Sequence, residues 1–94
     1  MIFKRDNKKY FEISEKYYIE IYRYCLSQLK DKSYTKEATN DTFLRLWNKG
    51  NILKNDEKII AWLYNTADNF CKSINKETAK IRKIELSLEK SEDK

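Results

Sequence analysis

The sequence predicts an all-α fold, a small bundle of three helices, with a four-helix bundle as the alternative. The chain has 94 residues, no proline and a single glycine, Gly50, so few positions interrupt a helix and the tight turns of a sheet are hard to form. In three stretches, apolar residues recur at three- and four-residue spacing, which is typical of helices with one buried face. A chain of this length forms one domain and buries about 60–65% of its unfolded surface.

The first helix is predicted from about Lys8 to Lys30. Residues at helical spacing form a core stripe along it: Phe11, Tyr18, Ile21, Tyr22, Cys25 and Leu29. A second stripe lies beside the first: Tyr10, Ile13, Tyr17 and Tyr24. Two explanations stay open for the second stripe. Either the bundle packs on this helix from two sides, with phenol tips reaching water, or the tyrosines form a surface for a partner.

The second helix is predicted from about Tyr34 to Asn48, after turn and N-cap chemistry at Asp31, Ser33 and Thr35. One face is predicted to be buried: Ala38, Thr39, Thr42, Phe43, Leu46 and Trp47. The opposite face carries Leu44 among acids and amides: Glu37, Asn40, Asp41 and Asn48. An isolated exposed leucine is common, yet this layout is also typical of an apolar anchor with a polar rim.

A short loop at residues 51–55 is predicted to separate the second helix from the third. The third helix is predicted to begin at a cap, Asn55 or Asp56, and to run to about Lys76. Its apolar pattern continues as far as Ile84, so a longer helix is compatible with the sequence.

Trp62 is predicted to lie on the polar side of this third helix. At ~100° per residue, one broad face is apolar: Ile59, Ile60, Leu63, Ala67, Phe70 and Ile74. Trp62 projects away from that face, within a polar stripe about 60° wide: Lys58, Asn65, Asn69, Lys72 and Lys76. An indole can stack on an unpaired base, amides can pair with base edges, and lysines can neutralise phosphates. The stripe therefore indicates a nucleic-acid surface; the alternative is a solvated face with Trp62 covered by the loop 51–55.

The charge balance favours acidic partners mildly. Twenty Lys and Arg residues against fifteen Asp and Glu residues give a net charge of +5. The excess is concentrated between Lys72 and Lys83, where Glu77 is the single acid.

Catalysis and metal binding have little support in the sequence. The chain has no histidine, no glycine-rich loop and no Ser or Cys with an evident base, so we expect a protein that is not an enzyme and needs no cofactor or metal. Cys25 and Cys71 are expected to be buried and reduced. No signal peptide and no apolar run of about 18 residues is present, so we expect a cytoplasmic protein without a membrane partner.

Two blocks of the sequence resemble a known family. KEATNDTFLRLW, residues 36–47, and AWLYNTADNFCKSINK, residues 61–76, are similar in pattern, order and spacing to conserved region 2 of bacterial ECF-type RNA polymerase sigma factors. The stretch at residues 11–29 resembles the helix that precedes these blocks. The resemblance covers roughly residues 8 to 85, and the second block is the more specific one.

The resemblance implies an orthogonal helical bundle, a region 2-like domain at residues 1–80, that performs two tasks. It would dock on the clamp coiled coil of the largest subunit of core RNA polymerase through matching positions: Glu37, Asn40, Asp41, Leu44 and Asn48. It would also hold the melted non-template strand of the promoter −10 element through a second set: Trp62, Asn65, Asn69, Lys72, Ser73, Lys76, and Asn51 and Lys54 of the specificity loop. An anti-sigma factor is a further candidate partner.

The chain departs from the family pattern at several points. Asn40 stands where the family has glutamine, Lys36 stands where it has an acid, and Asp68 adds a carboxylate beside Asn69 where DNA is expected to pass. Residues 81–94 are expected to be the start of an interdomain linker or a frayed helix end. Since no domain for the −35 element follows, we expect a fragment, or else an unusual single-domain member. The alternative function is a small helical protein–protein interaction module without a nucleic-acid role.

Overall fold

The computed structural model describes residues 7–49 and 56–92, which form three helices. Helix α1 is Asn7–Leu29, α2 is Lys32–Lys49 and α3 is Asp56–Glu92. No strand occurs within these two ranges. The predictions of an all-α fold and of three helices are confirmed for the described residues.

The junction between α1 and α2 is built from two residues with opposite roles. Lys30 adopts a left-handed conformation with φ of 57° and donates its N–H to the Leu26 carbonyl at 2.8 Å, which ends α1. Asp31 then caps α2, because its Oδ1 accepts the Tyr34 N–H at 2.8 Å. Helix α2 therefore begins at Lys32, two residues earlier than predicted.

Helix α3 has 37 residues and runs well past the predicted end near Lys76. At 1.5 Å per residue it is about 55 Å long. No proline or glycine follows Gly50, so nothing in the local sequence stops the helix after the bundle ends. Residues 79–90 are exposed along their whole length. The segment expected to be a linker or frayed end is therefore helical as far as Glu92.

One core joins the three helices. Its fully or nearly buried apolar members are Ile13, Ile21, Cys25, Ala38, Phe43, Leu46, Ile59, Leu63, Ala67 and Cys71. Helix α2 contributes three buried threonines. Two of their hydroxyls are satisfied inside the helix, since Thr39 Oγ1 donates to the Thr35 carbonyl and Thr42 Oγ1 to the Ala38 carbonyl, each at 2.7 Å. Thr35 Oγ1 is buried without a hydrogen-bond partner among the described residues.

The first helix packs on two sides, as one of the two explanations of its tyrosine stripe requires. Tyr10, Tyr17 and Tyr24 are half-buried against the core, and Ile13 is part of it. The prediction that Phe11 belongs to the core is wrong, since its side chain is 64% exposed.

The two cysteines are free and buried, as expected. Burial, together with the neighbouring Cys25 thiol, raises the pKa of Cys71 to about 12. The thiol therefore stays protonated and packs as a small apolar group. None of the described helices contains a stretch that is apolar and long enough to cross a lipid bilayer.

Replacing Asp31 tests its role as the N-cap of α2. Asp31→Ala is expected to lower the free energy of unfolding by about 1 kcal/mol, because the Tyr34 N–H loses its acceptor. Asp31→Asn is the matched control, since it keeps a side-chain oxygen at the same position and should retain most of the stability. Urea denaturation followed by circular dichroism measures both, and an Asn variant as unstable as the Ala variant would contradict the capping role.

Candidate nucleic-acid interface

The outward stripe of α3 consists of Asn65, Asn69, Lys72, Ser73 and Lys76. All five side chains are exposed, and at ~100° per residue they occupy one side of the helix. The structure therefore brings together five of the residues that the sequence singled out for a nucleic-acid strand. Two further residues of that predicted set, Asn51 and Lys54 of the loop, lie outside the described residues.

Trp62 does not project freely into solvent as predicted. Its side chain is half-buried and packs against the core. The helical period explains the difference, because Trp62 is only about 40° from buried Thr66 and 60° from buried Ile59. A side chain as large as an indole covers that distance and lies at the border between the core and the outward stripe.

The Asp68 side chain points towards α1, away from the place beside Asn69 where DNA is expected to pass. Its Oδ1 accepts the Tyr24 hydroxyl at 2.6 Å, and its Oδ2 pairs with Lys72 Nζ at 3.0 Å. The hydrogen bond from Tyr24 and then the contact with Lys72 lower the pKa of the Asp68 carboxyl. The carboxylate therefore stays ionised and held towards α1, and it engages one lysine of the outward stripe.

A second pair of the same kind lies one turn earlier along the contact between α1 and α3. The Tyr64 hydroxyl donates to Glu20 Oε2 at 2.6 Å, and the Tyr24 and Tyr64 rings meet edge to face at 5.4 Å. Hydrogen bonding to the carboxylates raises the pKa of both tyrosines to about 12. These contacts add a directional restraint to the core packing of α3, which sets how the helix is rotated against α1 and which residues face outward.

Positive charge continues along α3 beyond the outward stripe. Lys80 and Lys83 are exposed and follow Lys76 at intervals of four and three residues, which places one cation about every 4.5–6 Å along the helix axis. Glu77 is the acid within this run. The arrangement provides the local cation excess that neutralises phosphates.

A separate groove lies between α1 and α2 and includes three of the predicted docking residues. Its lining is made by Tyr10, Phe11, Ser14, Tyr18, Asn40, Asp41, Phe43 and Leu44. Leu44 is 56% exposed, and Asn40 is held in place because its Oδ1 accepts the Tyr18 hydroxyl at 2.6 Å. Glu37 and Asn48 are exposed on α2 but do not line the groove.

Phe11 and Ser14 were missed as members of this second surface. Ser14 Oγ is shielded from solvent and has no hydrogen-bond partner. Residues 11, 14 and 18 share one helix face at i, i+3 and i+7, and this spacing could have placed them together. It could not have shown that this face meets the Leu44 side of α2.

No group of three or more metal-binding side chains comes together in the part of the chain that the structure describes. A scan against models of known protein families finds no match to this chain, and neither a search of curated proteins nor one of solved structures finds a match.

The two tyrosine–carboxylate pairs predict an alkaline loss of stability. Because the pKa of Tyr24 and Tyr64 is raised from 10.0 to about 12 in the folded chain, the stabilisation is complete below pH 10 and is lost as pH rises towards 12. Thermal unfolding between pH 9 and 12 should show this decline.

The decline should be smaller in Tyr24→Phe and in Tyr64→Phe, and smallest in the double variant. An unchanged pH dependence in the double variant would show that these hydrogen bonds do not link the helices.

Proposed function

We propose that this chain is a sigma factor domain of the region 2 type, which binds core RNA polymerase and stabilises the melted non-template strand of a promoter −10 element. The observation that carries the proposal is the outward stripe of α3, where amides, a hydroxyl and lysines are exposed in one line beside a half-buried indole. The resemblance of the two sequence blocks supports the same assignment. In this proposal the three helices form the orthogonal bundle of that family.

Strand capture in this proposal needs no chemical step. Extruding a base from the duplex costs a few kcal/mol, and stacking worth about 1–3 kcal/mol per base offsets much of that cost. In this proposal the exposed amides of Asn69 and Asn65 pair with base edges, while Lys76 contacts the backbone. The accessible edge of Trp62 supports the base next to them.

Docking on the polymerase in this proposal uses the groove between α1 and α2. Leu44 and Phe11 are the two large exposed apolar side chains there, and Asn40 and Asp41 supply a polar rim. A helix of the polymerase clamp would cover the apolar pair, with Asn40 and Asp41 at its edge. The residues that line the groove belong to α1 and α2, so in this proposal polymerase and strand use different surfaces.

A protein–protein interaction module is the second candidate function. The exposure of both Phe11 and Leu44 in one groove favours it independently of any nucleic acid. The two functions differ in their response to salt. Strand binding through lysines weakens steeply from low to physiological salt, whereas a mainly apolar contact does not.

Substitutions on the outward stripe test strand binding. Asn69→Ala and Lys76→Ala are each expected to weaken binding of a single-stranded −10-like oligonucleotide to the complex of the chain with core polymerase by roughly 5- to 30-fold, which corresponds to about 1–2 kcal/mol. Fluorescence anisotropy at low and physiological salt measures the change. Arg23→Ala is the charge-matched control, since Arg23 is exposed on α1, and it should leave binding unaltered.

Equal oligonucleotide binding by the wild-type chain and both stripe variants would remove the nucleic-acid assignment. Trp62→Ala is less informative, because the indole also packs against the core, so its effect on binding has to be compared with its effect on unfolding.

Substitutions in the groove test polymerase docking. Leu44→Ala and Phe11→Ala should each weaken binding to core polymerase by about 1–3 kcal/mol, since each removes an apolar contact at the centre of the interface. Ile19→Ala is the matched control, because Ile19 is 57% exposed on α1 but is not part of the groove. Biolayer interferometry with immobilised polymerase gives the affinities, and a loss equal to that of the control would place docking elsewhere.

A further inference from the structure

The outward stripe contains one lysine that is already paired with an anion of its own helix. Lys72 Nζ lies 3.0 Å from Asp68 Oδ2, with the lysine side chain 75% exposed and the aspartate 28% exposed. Lys76, one turn further on, makes no ion pair within the described residues. In the free chain, Lys72 is therefore ion-paired, whereas Lys76 of the same stripe is not, among the residues that the structure describes.

We infer that Asp68 is a positioning residue that holds Lys72 in the free protein, in the place of a strand phosphate, and that releases it when a phosphate arrives. The inference rests on the proposed strand-binding function and adds a regulation of its affinity. It assigns to Asp68 the role of an internal competitor for the anionic backbone.

The geometry permits this exchange because only the lysine can follow the phosphate. The exposed ammonium of Lys72 can turn outward on its flexible stem. The Asp68 carboxylate is half-buried and is held towards α1 by the Tyr24 hydroxyl at 2.6 Å. After Lys72 leaves, Tyr24 still donates to the carboxylate, so the charge keeps a hydrogen-bond partner.

The strength of the pair suits a competitor. Exposed pairs at i, i+4 contribute little to stability, so a phosphate with other contacts on the stripe can displace Asp68. An isolated phosphate, which makes no other contact on the stripe, gains much less binding free energy from replacing Asp68. The exchange therefore lowers affinity for all strands by a similar factor, and it keeps binding dependent on the neighbouring contacts at Asn69 and Lys76.

Asp68→Asn tests the inference in the complex of the full chain with core polymerase, with a single-stranded −10-like oligonucleotide as the probe. The variant should bind roughly two- to five-fold more tightly than wild type, because Lys72 no longer has an internal anion. The slope of log affinity against log salt should steepen by up to about 0.7, the value for one more phosphate contact on a single strand. In the Asp68→Asn, Lys72→Ala double variant the gain should vanish.

Glu20→Gln is the matched control. It removes the carboxylate of the other tyrosine–carboxylate pair, changes the net charge by the same amount, and leaves Lys72 untouched. A gain in Glu20→Gln equal to that in Asp68→Asn would mean that net charge is responsible. A gain that persists without Lys72 would mean that Asp68 acts by repelling the strand directly. Either result overturns the inference.

The failure of this inference can be told from that of the proposed function. If Lys76→Ala weakens strand binding but Asp68→Asn does not strengthen it, the stripe binds the strand and only the exchange is wrong. If wild type, Lys76→Ala and Asp68→Asn bind the oligonucleotide equally, or not at all, both the proposed function and the inference are overturned.

Discussion

The contact between α1 and α3 is the constraint on which the candidate interface depends. Two tyrosines on different helices donate to two carboxylates, Tyr64 to Glu20 and Tyr24 to Asp68, and their rings meet edge to face. The apolar face of α3 is fully buried at Ile59, Leu63, Ala67 and Cys71, so core packing sets the rotation of the helix about its axis. The two hydrogen bonds at positions 64 and 68 add a directional restraint to that packing, and the amides and lysines then share one exposed line.

Periodicity was sufficient to predict the fold class and most of the buried faces. Ala38 and Leu46 on α2, and Leu63 on α3, are buried as their spacing requires. The direction taken by Asp68 could not be predicted, because its partner Tyr24 is 44 residues away in sequence and a side chain at the flank of a helix can turn either way. The prediction that Trp62 projects away from the core was wrong for a related reason, because a helical angle locates the Cβ atom and not the far end of an indole.

Apolar spacing indicated that α3 could extend as far as Ile84, but it did not show that the helix reaches Glu92, because the residues after Thr78 are no longer buried by the bundle. Helix continuation there depends on the absence of a stop signal and on good helix formers in that segment. The start of α2 depended on a choice among three neighbouring cap candidates. Asp31 is the one used, since the left-handed conformation of Lys30 turns the chain so that its carboxylate reaches the Tyr34 N–H.

The two candidate surfaces differ in the kind of interaction that they offer to a partner. The groove between α1 and α2 exposes Phe11 and Leu44, so an apolar contact made there depends only weakly on salt. The outward stripe depends on lysines, and one of these is engaged by Asp68. Under the proposed function this asymmetry has a consequence: docking through the apolar groove supplies most of the affinity, and the weaker stripe acts after the polymerase has brought the strand close. The local concentration of the strand, rather than tight binding by the free domain, then determines when the melted state is captured.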